Sequence, residues 1–445
     1  MTKDMTDGSP VRLIIGFAVP MFLGMLFQQF YSMVDTIIVG QYLGVNPLAG
    51  VGSTTSLNFM VIGFCTGVCN GFAIPVAQMF GAKDEKGLRR FVSNGAWLCA
   101  AFALVVTVLV VSACRTVLRL MNTPAEIFDY AWLYIVIIFC GIPCTFLYNL
   151  LAAIIRALGD SKTPVMFLAF SSVLNIVLDF VSIRWLHMSV EGPALATVLS
   201  QGVSGAVCLL YMRKKFPILR TVREDWKPEG SCMVKLCVIG IPMGLQYSVT
   251  AIGALVLQTA INGMGAAVVA GVAAAQKINA FIASPVEALG QTMAPYTGQN
   301  IGAGKLDRIG KGLLQPSLVG FGVSICCFLI ALLTGKYLVL LFLDAKEAQI
   351  IAYACRFLLC CTGGFCLLTL VNAVRFTIQG MGFSVFAIIS GVMEMIARIL
   401  VAVLSARYFG FAGICLAHPT AWLFADLFLI PAFFYCRRRV AASLR

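Results

Sequence analysis

Charge is what this chain of 445 residues has least of: 11% of it is Asp, Glu, Lys or Arg, against about 25% in soluble domains. That scarcity excludes an ordinary soluble protein. With two histidines and neither an HExxH helix nor a GxSxG turn, the usual zinc- and serine-hydrolase patterns are excluded as well. No GxxxxGK followed by Ser or Thr is present. The segment Gly302-Ala303-Gly304-Lys305 resembles a phosphate loop only superficially, because the spacing and the hydroxyl are missing. The chain therefore reads as a non-enzyme without catalytic residues or a cofactor. A cleavable signal peptide is also lacking, since the polar start MTKDMTDGSPVRL runs straight into a full-length apolar span. Cysteine is plentiful, at 17, but most cysteines lie in apolar runs (Cys65, Cys69, Cys99, Cys140, Cys208) and act there as small hydrophobes. They form no disulfide framework.

What is abundant is apolar surface. Hydrophobic residues make up 60% of the chain and the mean hydropathy is +0.93. Twelve runs are long enough for a hydrocarbon core about 30 Å thick. They cover 13–39, 48–79, 91–113, 131–155, 164–186 and 194–212, then 233–261, 268–293, 313–333, 350–376, 385–408 and 414–436. The expected fold is an all-α integral membrane protein. Basic residues set its orientation. With the N-terminus inside, 23 of the 32 Lys and Arg fall on the cytoplasmic side. Among them are Arg375, placed at the end of the tenth span, and the tail residues Arg437, Arg438, Arg439 and Arg445. Both termini are expected in the cytoplasm of a multi-pass protein of the inner membrane. The formal charge of +13 then reflects topology and anionic lipid, and calls for no nucleic-acid partner.

The chain also repeats itself. Pro20 matches Pro242 at a separation of 222, Gly50-Val51 matches Gly271-Val272 at 221, and Gln78 to Ala82 matches Gln299 to Ala303 at 221. At the same offset of 221, Gly159 pairs with Gly380 and Gly192 with Gly413. Six spans per half is an even number, so the halves share one orientation and relate by an axis along the membrane normal. Two pseudo-symmetric six-helix bundles, 1–212 and 236–445, are joined by a basic linker at 213–235 that contains Pro217 and Pro228. This is the layout of an alternating-access carrier.

Polar groups inside the spans mark the candidate site. The stretch SSVLNIVLDF at 171–180 carries Asn175 and Asp179 one turn apart, hence on one helix face. An acid within a span costs about 2.5–3.5 kcal/mol on insertion scales and defaults to a functional role. Asp35, with Tyr31 one turn deeper, lies at a similar depth in the first span. Two carboxylates sharing an apolar pocket cannot both ionise cheaply, so the pair suits a proton or a monovalent cation. The blander reading has each acid merely bonded to a neighbouring helix.

The second half breaks the symmetry. At the position of Asp35 it carries Val256 or Leu257, and at that of Asp179 it carries Leu400, or Arg398 with a two-residue slip. It has instead Lys277, Glu287, Glu394 and Arg398. Glu394 and Arg398 are spaced for an i,i+4 pair, either structural or lining a cavity, and Lys277 is placed to face Glu394. Asp426, Arg356 and Glu287 read as interfacial, capping or locally paired. Phe27, Phe30, Phe59 and Phe281, with Met21, Met25, Met33 and Met60, read as packing before they read as the lining of an apolar cavity.

The ordered set YSMVDTIIVGQYLG, LAGVG, QMFGAKD, IRALGDSKTP, LNIVLDF and GPALAT, then AGVAAAQKI, GQNIGAGK, QGMG, EMIAR and HPTAW, resembles the bacterial multidrug and toxic compound extrusion (MATE) family over essentially the whole chain. The resemblance implies two six-helix lobes in a V-shaped carrier. Entry of H⁺ or Na⁺ would drive export of amphipathic, often cationic organic compounds by a functional monomer. It implies a coupling site of Tyr31, Asp35, Asn175, Asp179 and Thr197, with Asn149 nearby. If the ion is Na⁺, Asp35, Asn175 and Asp179 would hold it. Relatives that use an acid on the seventh span carry it where this chain has Thr250, which favours coupling in the N-terminal lobe. The alternative is a flippase for a lipid-linked saccharide, which would need a strongly cationic cavity around groups such as Lys277 and Arg398.

Overall fold

The computed structural model describes residues 3–343 and 345–443; Arg445, counted above with the basic tail, lies outside them. Among the described residues the secondary structure is helical. In chain order it runs α1 Pro10–Leu43, α2 Val45–Ser53, α3 Thr55–Gly81, α4 Glu85–Leu120, α5 Ala125–Cys140, α6 Ile142–Ala157, α7 Lys162–Arg184 and α8 Glu191–Lys215. It continues with α9 Gly230–Asn262, α10 Ala266–Gly302, α11 Leu306–Val339, α12 Ala348–Gly363, α13 Phe365–Gly380, α14 Val385–Leu404, α15 Gly410–Cys415 and α16 Ala417–Ser443. Ten of these are long and apolar enough to cross a membrane. The pairs α5–α6 and α12–α13, bent by 48° and 47°, raise the number to twelve if each pair is one span. All seventeen cysteines are free thiols.

The bends fall on Gly141 and Gly364, 223 apart, and each has a reason in packing. A Cβ on Gly141 would lie 2.3 Å from the Val198 side chain, and one on Gly364 would lie 2.9 Å from Pro419. Val198 and Pro419 are themselves 221 apart. Gly44 and Gly265, also 221 apart, have φ of 91° and 100° and open α2 and α10. The repeat is thus carried in backbone geometry and contacts.

Two details depart from expectation. The second apolar run is broken at Thr54 into α2 and α3, whereas its repeat α10 is continuous. Gly52-Ser53-Thr54 stands where α10 has three alanines, the best helix formers. Ser53 and Thr54 also donate their hydroxyls to the carbonyls of Gly50 and Val51, both at 2.7 Å, competing with the helical ladder. The second departure is register. The left-handed glycine after α6 is Gly159, φ 83°, and the one after α13 is Gly382, φ 90°. Gly159 therefore pairs with Gly382, not Gly380, and the offset there is 223. At that offset Asp179 corresponds to Ala402 rather than Leu400 or Arg398, and Asn175 corresponds to Arg398.

Contacts divide the chain into two units, Met1–Asp4 with Leu23–Gly244, and Met5–Phe22 with Leu245–Arg445. The division passes through α1 and α9 close to Pro20 and Pro242, and the whole basic stretch 213–235 belongs to the first unit. Within that unit, α3 and the start of α9 meet through glycines. A Cβ on Gly67 would lie 2.5 Å from the Met243 carbonyl oxygen, and one on Gly71 would lie 2.5 Å from the Gly240 Cα. Both helices offer glycines four apart, the spacing that lets two backbones approach.

Candidate functional site

The site of the first unit is assembled by α1, α5, α7 and α8. Helices α7 and α8 pack side by side, and the Asn175 amide donates to the Thr197 hydroxyl at 3.3 Å. One turn on, Asp179 is fully buried. Asp35 of α1, half-buried, stands within electrostatic reach of it. Neither oxygen of Asp179, nor Oδ1 of Asp35, nor the amide oxygen of Asn175 receives a hydrogen bond from the described residues. Buried acceptors are nearly always satisfied. These four unfilled oxygens, from two acids and an amide, are a donor set that can take a proton or a hard monovalent cation.

Tyr31 stands within electrostatic reach of both acids, as the helical spacing predicts. Tyr134 of α5 does so too and is 8% exposed. It went unnoticed in the sequence because YAWLYIVIIF reads as uniform apolar packing; only its phenol hints at a polar neighbour. Asn149 is bonded within its own helix α6, where its amide donates back to the Thr145 carbonyl at 2.9 Å.

In the second unit the expected Glu394–Arg398 pair forms, at 3.0 Å within α14. Two expectations are corrected. Arg375 is not a loop residue at a span's end but is buried in α13, where it pairs with the other oxygen of Glu394 and donates Nε to the Ser390 hydroxyl at 3.1 Å. Lys277 is exposed on α10 and forms no ion pair with Glu394, whose partners are Arg375 and Arg398. Arg398 also donates to the carbonyl oxygen of Thr250 at 3.4 Å. At the repeat-related position, then, the Asn175–Thr197 contact becomes Arg398 beside His418, while Val256 or Leu257, and Ala402, replace the two acids. Glu287 and Arg356 are exposed on α10 and α12.

Comparison with known proteins bears on this arrangement. A family model described as MatE matches residues 20–181 and again 242–404, two segments whose starts are 222 apart. The chain is 30% identical over 347 residues to the probable multidrug resistance protein YpnP of Bacillus subtilis (strain 168), covering 78% of this chain and 77% of that one. It is 29% identical over 362 residues to the probable multidrug resistance protein YoeA of the same organism, covering 79% and 78%. Among solved structures, one described as the outward-facing conformation of a multidrug resistance MATE family transporter of the MOP superfamily shares the fold at a TM-score of 0.90. Its sequence identity is 21%, and 99% of each chain is covered.

Proposed function

The chain belongs to the MatE family, and from that premise we propose that it is a cation-coupled antiporter of the cytoplasmic membrane, exporting amphipathic, often cationic organic compounds. The observation that carries the reading is the neighbouring pair of half-buried Asp35 and buried Asp179, with unfilled oxygens. Two acids in one apolar site admit one positive charge, either H⁺ or Na⁺. Asn175, held by Thr197, and the phenols of Tyr31 and Tyr134 complete the lining. Sodium would rest on Asp35, Asn175 and Asp179. Occupancy drives transport only if the cation binds one conformation more tightly than the other. Because α1 carries Tyr31 and Asp35 as well as Pro20, a bend in this helix is the natural element to respond.

A lipid-linked saccharide flippase finds less support. Of the cationic groups near such a cavity, Arg375 and Arg398 share the single carboxylate of Glu394, which leaves a net charge of only +1. Efflux of a cationic dye from proteoliposomes, under an imposed pH gradient or an imposed sodium gradient, tests the proposal. Asp35→Asn and Asp179→Asn are each expected to lower gradient-driven efflux at least tenfold. Full activity in both variants would sink the mechanism, and the gradient that works identifies the ion.

A further inference from the structure

We propose that Asp426 is a proton-binding site of the second unit, separate from the Asp35–Asp179 pair, and that its proton determines whether Arg375 stays with Glu394. Asp426 is the tenth residue of α16, about 14 Å along the helix from its start, which is too deep for a capping or interfacial role. It is 3% exposed, and neither carboxyl oxygen has a hydrogen-bond partner among the described residues. The sequence reading of this acid as interfacial, capping or locally paired is therefore corrected.

Helix α16 packs against α13 and α14, and also against α12 and α15. The charged groups facing Asp426 are Arg375 of α13 and Glu394 of α14, with Arg398 on the far oxygen of Glu394. Helix α15 has no charged residue, and the one on α12, Arg356, is exposed. Two turns earlier on α16, His418 lies beside Arg398 and against the Trp422 ring. Neither guanidinium donates to Asp426, although the Arg398 Nε is itself unpartnered among the described residues. Arg375 binds Glu394 and Ser390, and Arg398 binds Glu394 and the Thr250 carbonyl.

An ionised carboxylate left without a donor in a dry interior, with a guanidinium nearby, would draw that guanidinium onto itself. The observed arrangement, with Arg375 turned to Glu394 and Ser390, is the one that suits a neutral acid. Loss of the proton converts the carboxyl to a carboxylate and releases one H⁺. The charge of the four-residue cluster falls from +1 to zero, and Arg375 becomes shared between two acids on different helices. The first unit has no equivalent acid: 221 residues earlier stands Gly205. The site is thus particular to the second unit and is not a relic of the repeat.

The test reads the resting protein and needs no substrate, so it stands or falls separately from the transport reading. Infrared spectra of purified protein in lipid are recorded at pH 7, where exposed carboxylates are ionised, in H₂O and D₂O. The background variant Asp35→Asn/Asp179→Asn/Glu287→Gln removes the other unpaired acids of the spans. It is expected to keep a deuterium-sensitive carbonyl band of a protonated acid, and adding Asp426→Asn is expected to abolish it. Absence of the band from the background variant overturns the proposal, as does its survival after Asp426→Asn. If the quadruple variant fails to fold, judged by its amide bands, the background variant alone decides.

Discussion

Asp160 shows how much a single side chain can organise where two spans meet. Its carboxylate accepts from the backbone N–H of Lys162 and of Thr163, both at 3.0 Å, and from the Thr163 hydroxyl at 2.7 Å. It thereby closes the turn that opens α7, the helix bearing Asn175 and Asp179. Burial works to raise this carboxyl, but the interactions that favour its charged form, those from Thr163 foremost, together hold it below its ordinary value. A carboxyl lowered on folding contributes stability above its unfolded value near 4 and loses it as pH falls through the folded one. Asp160→Ala should therefore destabilise by about 1–2 kcal/mol at pH 7. The gap should narrow below about pH 4, once the wild-type carboxylate is itself protonated. Thermal midpoints in detergent at the two pH values check this; a gap that widens on acidification contradicts it.

Residues also differ in how legible they are. Asp35 and Asp179 stand out in the sequence because an acid inside an apolar run is costly wherever its partners are. Tyr134 and Arg375 do not. A phenol among aromatics carries only a weak polarity signal, and an arginine near the end of an apolar run looks like a loop residue. What distinguishes Arg375 is Glu394, nineteen residues away on another helix.

At the scale of the element, the repeat is a set of equivalent contacts. A Cβ on Gly50 would lie 2.7 Å from the Tyr130 Cβ and 3.1 Å from the backbone N of Ala131. A Cβ on Gly271 would lie 3.0 Å from the Tyr353 Cβ and 3.2 Å from the backbone N of Ala354. Each glycine lets its helix rest directly on the first half of a bent pair. Gly50→Val and Gly271→Val should each destabilise by about 1–3 kcal/mol through overpacking, and by amounts similar to each other. Unfolding in mixed detergent measures both, and one tolerant site beside one intolerant site would refute their equivalence. These glycines are visible in the sequence at their offset of 221. The shift to 223 at Gly159 and Gly382 is not, because the second half offers two glycines, Gly380 and Gly382, and only the backbone shows which one takes the left-handed conformation.

At the scale of the molecule, orientation follows from charge. The run Arg437-Arg438-Arg439 closes α16, and the bases of 213–235 all lie on the loop side of α8 and α9. Both ends are expected in the cytoplasm. A fluorescent protein fused to the C-terminus should therefore fold and glow, while a periplasmic phosphatase fused at the same point should stay inactive. The reverse pattern would invert the topology. The unit boundary was less legible than the orientation. By composition 213–235 looks like a linker, yet contacts assign all of it to the first unit and divide the chain within α1 and α9. A long helix can leave one neighbour for another partway along with no change in its apolar pattern.

The amino-acid sequence alone determined the class of molecule, the number of spans, the repeat and the two acids of the first unit. Each of these rests on a local cost that lipid imposes, whether apolar length, a charge in hydrocarbon or a glycine where a side chain will not fit. The tertiary structure decided the pairing. It placed Asn175 on Thr197, brought Tyr134 to the acids, gave Glu394 two arginines and left Asp426 without a donor. A buried polar group is satisfied by whatever neighbouring helices present to it, and that depends on how the helices are rotated and bent.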